Sequence, residues 1–454
     1  MKKFLSFALA WVLLLSLCAC SDIPSEPDAP DIPEYTTHDF TISGFWAPYE
    51  ISEESYALYR GCGMNTLLLV NHSATPRSSK NQYYLGSAAT ERALAACEQT
   101  GLNAILNYND WVAESLGVSY SANPFSEYDL YSSYKDIIRG VHIADEPDGE
   151  EIAEYGNDVL TSDFTAVYGS RSYFINLLPI YAKAEQTGFE NYADYLESYA
   201  QNVLSDFSEG RLLSVDFYPF PKDGMRTEWL YNYQLIAELA KEYDAALNFY
   251  IQCAEGNEFQ SRLSAEHIRM QVYIALCFGA EWISYYCYSN PLEGDGLMYD
   301  ACMVDENGNP TALYDYVKEV NAEISAFSDA ILAYEWREII GVAAQGSRGD
   351  SAIRMLRNQG DFSACSCITD IESSQNLAVG CFEQEGGAEG YMIVNYTDPA
   401  AEKSAEFTAY TSGCEYAVIY GRNGTAENPV IVKVTEGKFE ASLAPGEGMF
   451  VIFL

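Results

Sequence analysis

Gly140-Val141-His142-Ile143-Ala144-Asp145-Glu146-Pro147 is an apolar run that ends in two adjacent carboxylates and a proline. A buried carboxyl is costly unless it is paired or protonated, so stability alone explains this pair poorly. Capping of the next helix is the plainer reading, yet Asp148 already stands at the capping position before Gly149-Glu150-Glu151. A second acid, Glu255, is the first charged residue after Leu247-Asn248-Phe249-Tyr250-Ile251-Gln252-Cys253-Ala254, and Gly256 follows it. Its plainer reading is a loop-entry acid facing solvent, with Glu258 and Glu266 close enough in sequence to take its place. Two carboxyls at one site do acid–base and nucleophilic work when one keeps a proton and the other is ionised. On this reading Glu146 is the acid/base, with an apolar wall of Val141, Ile143 and Ala144, and Glu255 is the nucleophile. Tyr218, in Val215-Asp216-Phe217-Tyr218-Pro219, would hydrogen-bond Glu255 and hold it as the anion; Asp216 is the second candidate for the partner carboxylate.

Each of these acids ends a short strand-like run, and such runs recur eight times. They span Thr41–Tyr49, Asn65–His72, Leu102–Asp110, Ile138–Glu146, Ser172–Pro179, Leu212–Phe220, Leu247–Glu255 and Glu281–Ser289. Helical patterns lie between them. Ser52-Glu53-Glu54, Ser87–Cys97 and Ser264-Ala265-Glu266 open with a capping serine, and acids stand in the first turn after Ser52 and Ser264. Asn191–Phe207, Thr227–Tyr243 and Thr311–Ala330 place apolar residues at three- and four-residue steps. Eight alternating units predict a (β/α)8 barrel, whose chemistry sits at the C-terminal strand ends. The rival, a doubly wound open sheet, often carries a Gly-rich phosphate loop after its first strand. Here that strand runs into Ala47-Pro48-Tyr49-Glu50. After about residue 335 helical periodicity stops. Runs such as Glu338–Ala344, Ala352–Leu356, Ala378–Phe382, Tyr391–Tyr396 and Met449–Leu454 predict a C-terminal β-sandwich over residues 336–454, bracing a barrel of residues 39–335.

Composition narrows the partners. The chain has 454 residues with 25 Lys plus Arg against 66 Asp plus Glu, a formal net charge of −41, and 36 Tyr. The acids are spread along the chain, so phosphate backbones and anionic polymers are repelled; nucleic acid is not an expected partner. His38, His72, His142 and His267 form no HxH or HxxxH cluster, and Cys365-Ser366-Cys367 has no second pair at zinc-ligand spacing, so no metal is expected. No nucleotide or flavin motif occurs, and no cofactor is expected. Oligomeric state is not legible.

The first residues read as a targeting segment. Met1-Lys2-Lys3 precedes an apolar run from Phe4 to Leu17 that is too short to span a membrane and stay. Leu17-Cys18-Ala19-Cys20 resembles the lipobox of bacterial lipoproteins. The resemblance implies removal of residues 1–19, acylation of Cys20 and a membrane-anchored protein on the extracytoplasmic side, with residues 20–38 as a flexible tether. An ordinary secretory signal is the alternative.

The barrel, residues 40–335, resembles the clan A glycoside hydrolases, especially the family 42 β-galactosidase-like group. The resemblance rests on the strand-four ending Asp145-Glu146-Pro147, on Glu255, and on Ile268–Ala280 followed by Ile283-Ser284-Tyr285-Tyr286. It implies a cofactor-free glycosidase that hydrolyses O-glycosidic bonds in oligosaccharides with retention, Glu146 as acid/base and Glu255 as nucleophile about 5 Å apart. Asp145 stands where the clan has an Asn that donates to a sugar hydroxyl; a carboxylate only accepts there unless protonated. A sugar also needs aromatic platforms and polar partners, for which Trp46, Asn71, Asp110, Trp111, Asp145, Asp216, Tyr218 and Tyr288 are the strand-end candidates. The alternative function is a catalytically inactive, carbohydrate-binding surface lipoprotein on the same scaffold; an inverting hydrolase lies between the two.

Overall fold

The computed structural model describes residues 30, 33–36, 40–69, 87–107, 133–160, 172–206, 210–260, 262–290, 299–347 and 351–454. The chain divides into Met1–Pro33 and Glu34–Leu454, and the second unit holds every element given below. Cys20, Asn71, Asp110 and Trp111 lie outside the described residues. Among the described residues no helix is long and apolar enough to cross a membrane.

Eight parallel strands form one sheet: β1 (Thr41–Gly44), β2 (Thr66–Leu68), β3 (Asn103–Asn107), β4 (Ile138–Asp145), β5 (Ser172–Leu177), β6 (Leu212–Val215), β7 (Ala246–Gln252) and β8 (Trp282–Tyr286). Their order is β1-β8-β7-β6-β5-β4-β3-β2. Asn65 joins the two ends: its N–H donates to the Ile42 carbonyl at 3.0 Å, and its Oδ1 accepts from the Ile42 N–H at 3.0 Å. The result is the expected (β/α)8 barrel. Its strands are buried on both faces, which is why they read as continuous apolar runs. Phe45, Trp46, Leu68, Ile105, Leu212, Tyr250 and Trp282 fill the inside. A larger apolar layer lies between strands and helices.

The helices begin where their caps dictate. Ser52 accepts from the Ser55 N–H before α1 (Glu53–Gly61), and α2 spans Ser87–Thr100. Asp148 Oδ1 accepts from the N–H groups of Glu150 and Glu151 at 2.9 and 3.0 Å, capping α3 (Gly149–Leu160). That cap frees Asp145 and Glu146 from any helical duty. After the short α4 (Ala184–Thr187), Asn191 caps α5 (Tyr192–Asn202). Then come α6 (Trp229–Tyr243), α7 (Ala265–Cys277) behind Ser264, and α8 (Ala312–Leu332) behind Thr311.

The C-terminal region is two packed sheets. A seven-stranded sheet runs β10-β9-β12-β13-β18-β15-β16. Its members are β9 (Glu335–Val342), β10 (Asn358–Gln359), β12 (Leu377–Glu383), β13 (Glu389–Asn395), β15 (Tyr416–Gly421), β16 (Val430–Lys433) and β18 (Gly448–Phe453). Facing it are β11 (Ile368–Ser373), β14 (Ala405–Thr411) and β17 (Lys438–Leu443), with Ile340, Val379, Phe407, Phe439 and Val451 among the residues buried between the sheets. One expected strand is a helix instead: Ala352–Leu356 falls on α9 (Ser351–Met355) and the residue after it. Ile353 and Leu356, three apart, cover Gly341 of β9 from one face, which a helical turn achieves and a strand does not.

The seven-stranded sheet lies directly on α7. A Cβ at Gly380 would stand 2.1 Å from the Cys277 carbonyl oxygen, so only glycine permits this approach. The Cys277 thiol donates to Met392 O at 3.1 Å, and Trp336 Nε1 donates to Cys277 O at 3.0 Å. Arg269 of α7, 1% exposed, pairs with Glu323 at 2.9 Å and Glu319 at 2.6 Å of α8, and Arg422 adds a second cation on Glu319. Tyr35, expected within the tether, is held to the sandwich by a 3.1 Å hydroxyl contact with Tyr420.

Candidate active site

Strand β4 delivers its two acids through a register shift. His142 pairs with Phe174 of β5, but Ala144 pairs with Ile175 and Asp145 with Asn176, so β4 holds one extra residue. Such a bulge re-aims the side chains beyond it. It turns Asp145 to the interior face, beside Asn176, whose Nδ2 donates to Asp145 Oδ1 at 3.2 Å. The two strands approach closely below, where a Cβ at Gly140 would stand 2.2 Å from Ser172 O. Glu146 follows with φ +52°, the left-handed region, and its N–H donates to Asn176 O at 2.8 Å. A glutamate held there costs on the order of 1–3 kcal/mol, and such strain gathers at functional sites.

A directed chain of hydrogen bonds leads to Asp145. Trp282 Nε1 donates to Ser43 Oγ at 3.1 Å, and Ser43 Oγ lies 2.7 Å from Ser284 Oγ. Ser284 donates to Asn248 Oδ1 at 3.0 Å, Asn248 Nδ2 to Ser214 Oγ at 2.8 Å, and Ser214 to Asn176 Oδ1 at 3.0 Å. Asn176 passes the same sense on to Asp145. Since Ser284 spends its proton on Asn248, Ser43 supplies the proton of the 2.7 Å contact. Every dipole therefore points its positive end at the carboxyl. All five intermediate residues are buried, so each bond acts in a low dielectric. Replacing Ser214 by Ala orphans the amides of Asn176 and Asn248; a loss of about 1–3 kcal/mol in urea unfolding is expected. An unchanged midpoint would show the chain to be idle.

Asp216 follows β6 on the same interior face as Ser214 and is almost wholly buried. Glu146 and Tyr218 both act on its carboxyl, and its Oδ1 is buried without a hydrogen-bond partner among the described residues. Burial first, then the neighbouring charges of Glu146 and Asp145, raise the Asp216 carboxyl well above the ordinary carboxylate range. Burial likewise raises Glu146, opposed by its contact with Asp216. Asp145 is pushed up to about 7 by burial and then by Glu146, opposed by the Asn176 amide. Three carboxyls thus share fewer than three charges at neutral pH. Glu146 is nonetheless reachable from solvent while protein surrounds it on most sides. His142, fully buried, is lowered to about 3 and is neutral.

Glu255 is placed differently from the expectation. Its backbone bridges Ala301, and its Oε1 accepts from the Leu263 N–H at 2.8 Å. Burial raises it, with Leu263, Arg262 and Asp300 as the other groups that act on it; Glu146, Asp145 and Asp216 are not among them. Tyr218 is among the groups that act on Asp216 and is not among those that act on Glu255. The carboxyl that Glu146 meets is Asp216.

The aromatic candidates also divide. Tyr218 lines the mouth, its ring centroid 5.1 Å from those of both Tyr286 and Phe259. Tyr286 and Tyr299 bring their hydroxyls to 3.1 Å. Trp46 has φ +57° and is 1% exposed, with its ring edge-on to Phe45, so it supports the recess from below and is not an open platform. Tyr288 is not at the mouth. Its ring packs 4.9 Å from Tyr59 of α1, in the layer outside the barrel. Tyr181, which the sequence reading passed over, is 36% exposed; the Arg226 guanidinium sits 4.0 Å over its ring, and Asp216 and Glu146 both act on its hydroxyl. The signal for it was slight: an aromatic four residues beyond the end of β5. No group of three or more His, Cys, Asp or Glu among the described residues is arranged to hold a metal ion.

No family model matches the sequence, and no curated protein matches it. Solved structures of similar shape include a GH30 endoxylanase from Clostridium papyrosolvens, at 10% identity over 93% of this chain and 98% of that one, TM-score 0.43. A β-galactosidase from the psychrophilic Marinomonas ef1 matches at 9% identity over 65% of this chain and 62% of that one, TM-score 0.44. Xylanase 10B from Thermotoga maritima matches at 13% identity over 63% and 96%, TM-score 0.40. Likeness at this level carries no argument about chemistry, which rests on the residues of the barrel mouth.

Proposed function

We propose that the barrel mouth hydrolyses glycosidic bonds in neutral carbohydrate, with Glu146 as general acid and Asp216 as the carboxyl that shares its proton. The observation that carries this is the placement of Glu146: held in left-handed backbone at the end of β4, open to solvent, with the buried Asp216 acting on its carboxyl. A glycosidic oxygen leaves only if it is protonated as the bond breaks, which needs a carboxyl that keeps its proton near neutral pH. Burial moves Glu146 in that direction. Asp145, with one oxygen engaged by Asn176, offers the other to a sugar hydroxyl. Tyr181, backed by Arg226, supplies an exposed aromatic face for a pyranose ring.

Asp216, which acts on the Glu146 carboxyl, is taken as its proton partner, so that attack comes from another group. The expected retaining step through Glu255 would need its carboxyl to leave the Leu263 N–H. The configuration of the first-formed sugar, followed by NMR, distinguishes retention from inversion.

The test is a screen of neutral aryl glycosides and oligosaccharides for release of reducing sugar. The second reading, a carbohydrate-binding surface lipoprotein without catalysis, is favoured by one observation, the commitment of Glu255 elsewhere. It predicts sugar binding by calorimetry with no release from any member of the panel. We further propose that Cys20 carries the lipid anchor, followed by a tether, the barrel and the sandwich, on the extracytoplasmic side. Metabolic labelling with palmitate, abolished by Cys20→Ser, is the expected result; equal labelling of the variant removes the anchor from the account.

A further inference from the structure

Behind the aromatic wall of the mouth, Cys287 and Cys302 bring their sulfur atoms to 3.3 Å. The approach is set by the backbone. A parallel bridge joins Ser289 to Val304, two residues beyond each cysteine. Met303 N–H donates to Cys287 O at 3.3 Å and Val304 N–H to Tyr288 O at 3.0 Å, so the two segments run side by side as neighbouring strands do. Strands in that relation are about 4.8 Å apart, within the roughly 4.4–6.8 Å between Cα atoms that a disulfide needs. Both residues are wholly buried, and neither has a part in the chemistry proposed above.

We propose that Cys287 and Cys302 form a disulfide when the chain folds in an oxidising compartment, stapling the β8–α8 connection to the end of β8. Each thiol gives up its proton, the S–S bond forms, and the two electrons reduce a disulfide oxidant to two thiols. Burial, then the neighbouring Cys302, raises the Cys287 thiol well above its usual range, so thiolate is scarce in the folded chain. Exchange needs thiolate, and the bond therefore closes during folding. Its consequence is local. Tyr286 adjoins Cys287, and Tyr299, which carries its hydroxyl partner, lies three residues before Cys302. The staple fixes both rings in the wall of the recess.

The test refolds the full chain from denaturant with a reduced and oxidised glutathione mixture, and in parallel with dithiothreitol alone. Each sample is then unfolded, blocked with N-ethylmaleimide, digested and mapped by mass spectrometry. The glutathione sample is expected to yield the Cys287 and Cys302 peptides joined and unblocked. Its melting temperature should stand roughly 5 °C above that of the reduced sample. The single variant Cys302→Ala provides a second reading: Cys287 should then be recovered blocked by N-ethylmaleimide. The inference is overturned if both cysteines carry N-ethylmaleimide after oxidative refolding. It is equally overturned if either is joined to another cysteine, such as Cys365 or Cys381, whose own sulfurs lie 3.9 Å apart on the sandwich.

Discussion

Replacing Glu146 by Gln is expected to lower kcat and kcat/KM together by about 10²–10⁴-fold, with KM for a neutral oligosaccharide nearly unchanged. The amide has almost the same shape and keeps a donor toward Asp216, so folding and sugar binding survive. What it lacks is a proton to give to the leaving oxygen. An aryl glycoside with a good leaving group needs that proton less, so the variant should lose less on it than on the oligosaccharide. Activity within threefold of the parent on both substrates would remove Glu146 from the mechanism.

Asp216→Asn carries the second large effect, and it is read through pH. Asp145, Glu146 and Asp216 all hold their protons to higher pH in the folded chain than in the unfolded one. The folded state therefore binds more protons than the unfolded state between the ordinary carboxylate range and the raised values. By linkage the stability these groups contribute is fully present below pH 4. It is lost as pH rises through about 7 for Asp145 and through the raised values of the other two. Each pH unit of displacement is worth about 1.4 kcal/mol. Removing the Asp216 carboxyl takes away one such group and the repulsion it exerts on Asp145 once ionised. The variant should lose less stability than the parent between pH 5 and pH 9 in urea unfolding, by on the order of 1 kcal/mol or more. The alkaline limb of its hydrolytic pH profile should move to higher pH, because the influence of Asp216 that opposes the rise of Glu146 is gone. Parallel stability curves for parent and variant would show that Asp216 titrates as an ordinary surface acid.

Much of the scaffold was legible because its rules are local. A parallel barrel strand is apolar on both faces, and all eight stood out as runs. Ser52, Asn191, Ser264 and Thr311 each stand at the start of an expected helix. Asp145 and Glu146 were conspicuous because two acids and a proline end an apolar strand, and Asp148 had already taken the capping duty. Glu255 had the same local look. Its side-chain direction is decided by a bridge to Ala301 and by the Leu263 N–H, neither of which a run of residues announces. Tyr288 misled for a related reason. Alternation along β8 points residues 282, 284 and 286 inward, but beyond Tyr286 the chain leaves that alternation and Tyr288 turns onto Tyr59. In the sandwich, β11 and β17 escaped notice because one face of each is exposed, leaving alternation in place of an apolar run. The polar chain was visible all along as single Ser or Asn residues inside apolar strands; their common height in the barrel was not.

The measurement that tests the account most directly is the infrared carbonyl band of protonated carboxyls, followed from pH 4 to pH 9. The expected result is a carboxyl band that persists at pH 7, shifts when Glu146 is replaced by Gln, and is diminished in Asp216→Asn. If every carboxyl of the parent protein is ionised by pH 6, Glu146 has no retained proton to give, and the barrel mouth is not the acid–base site described here.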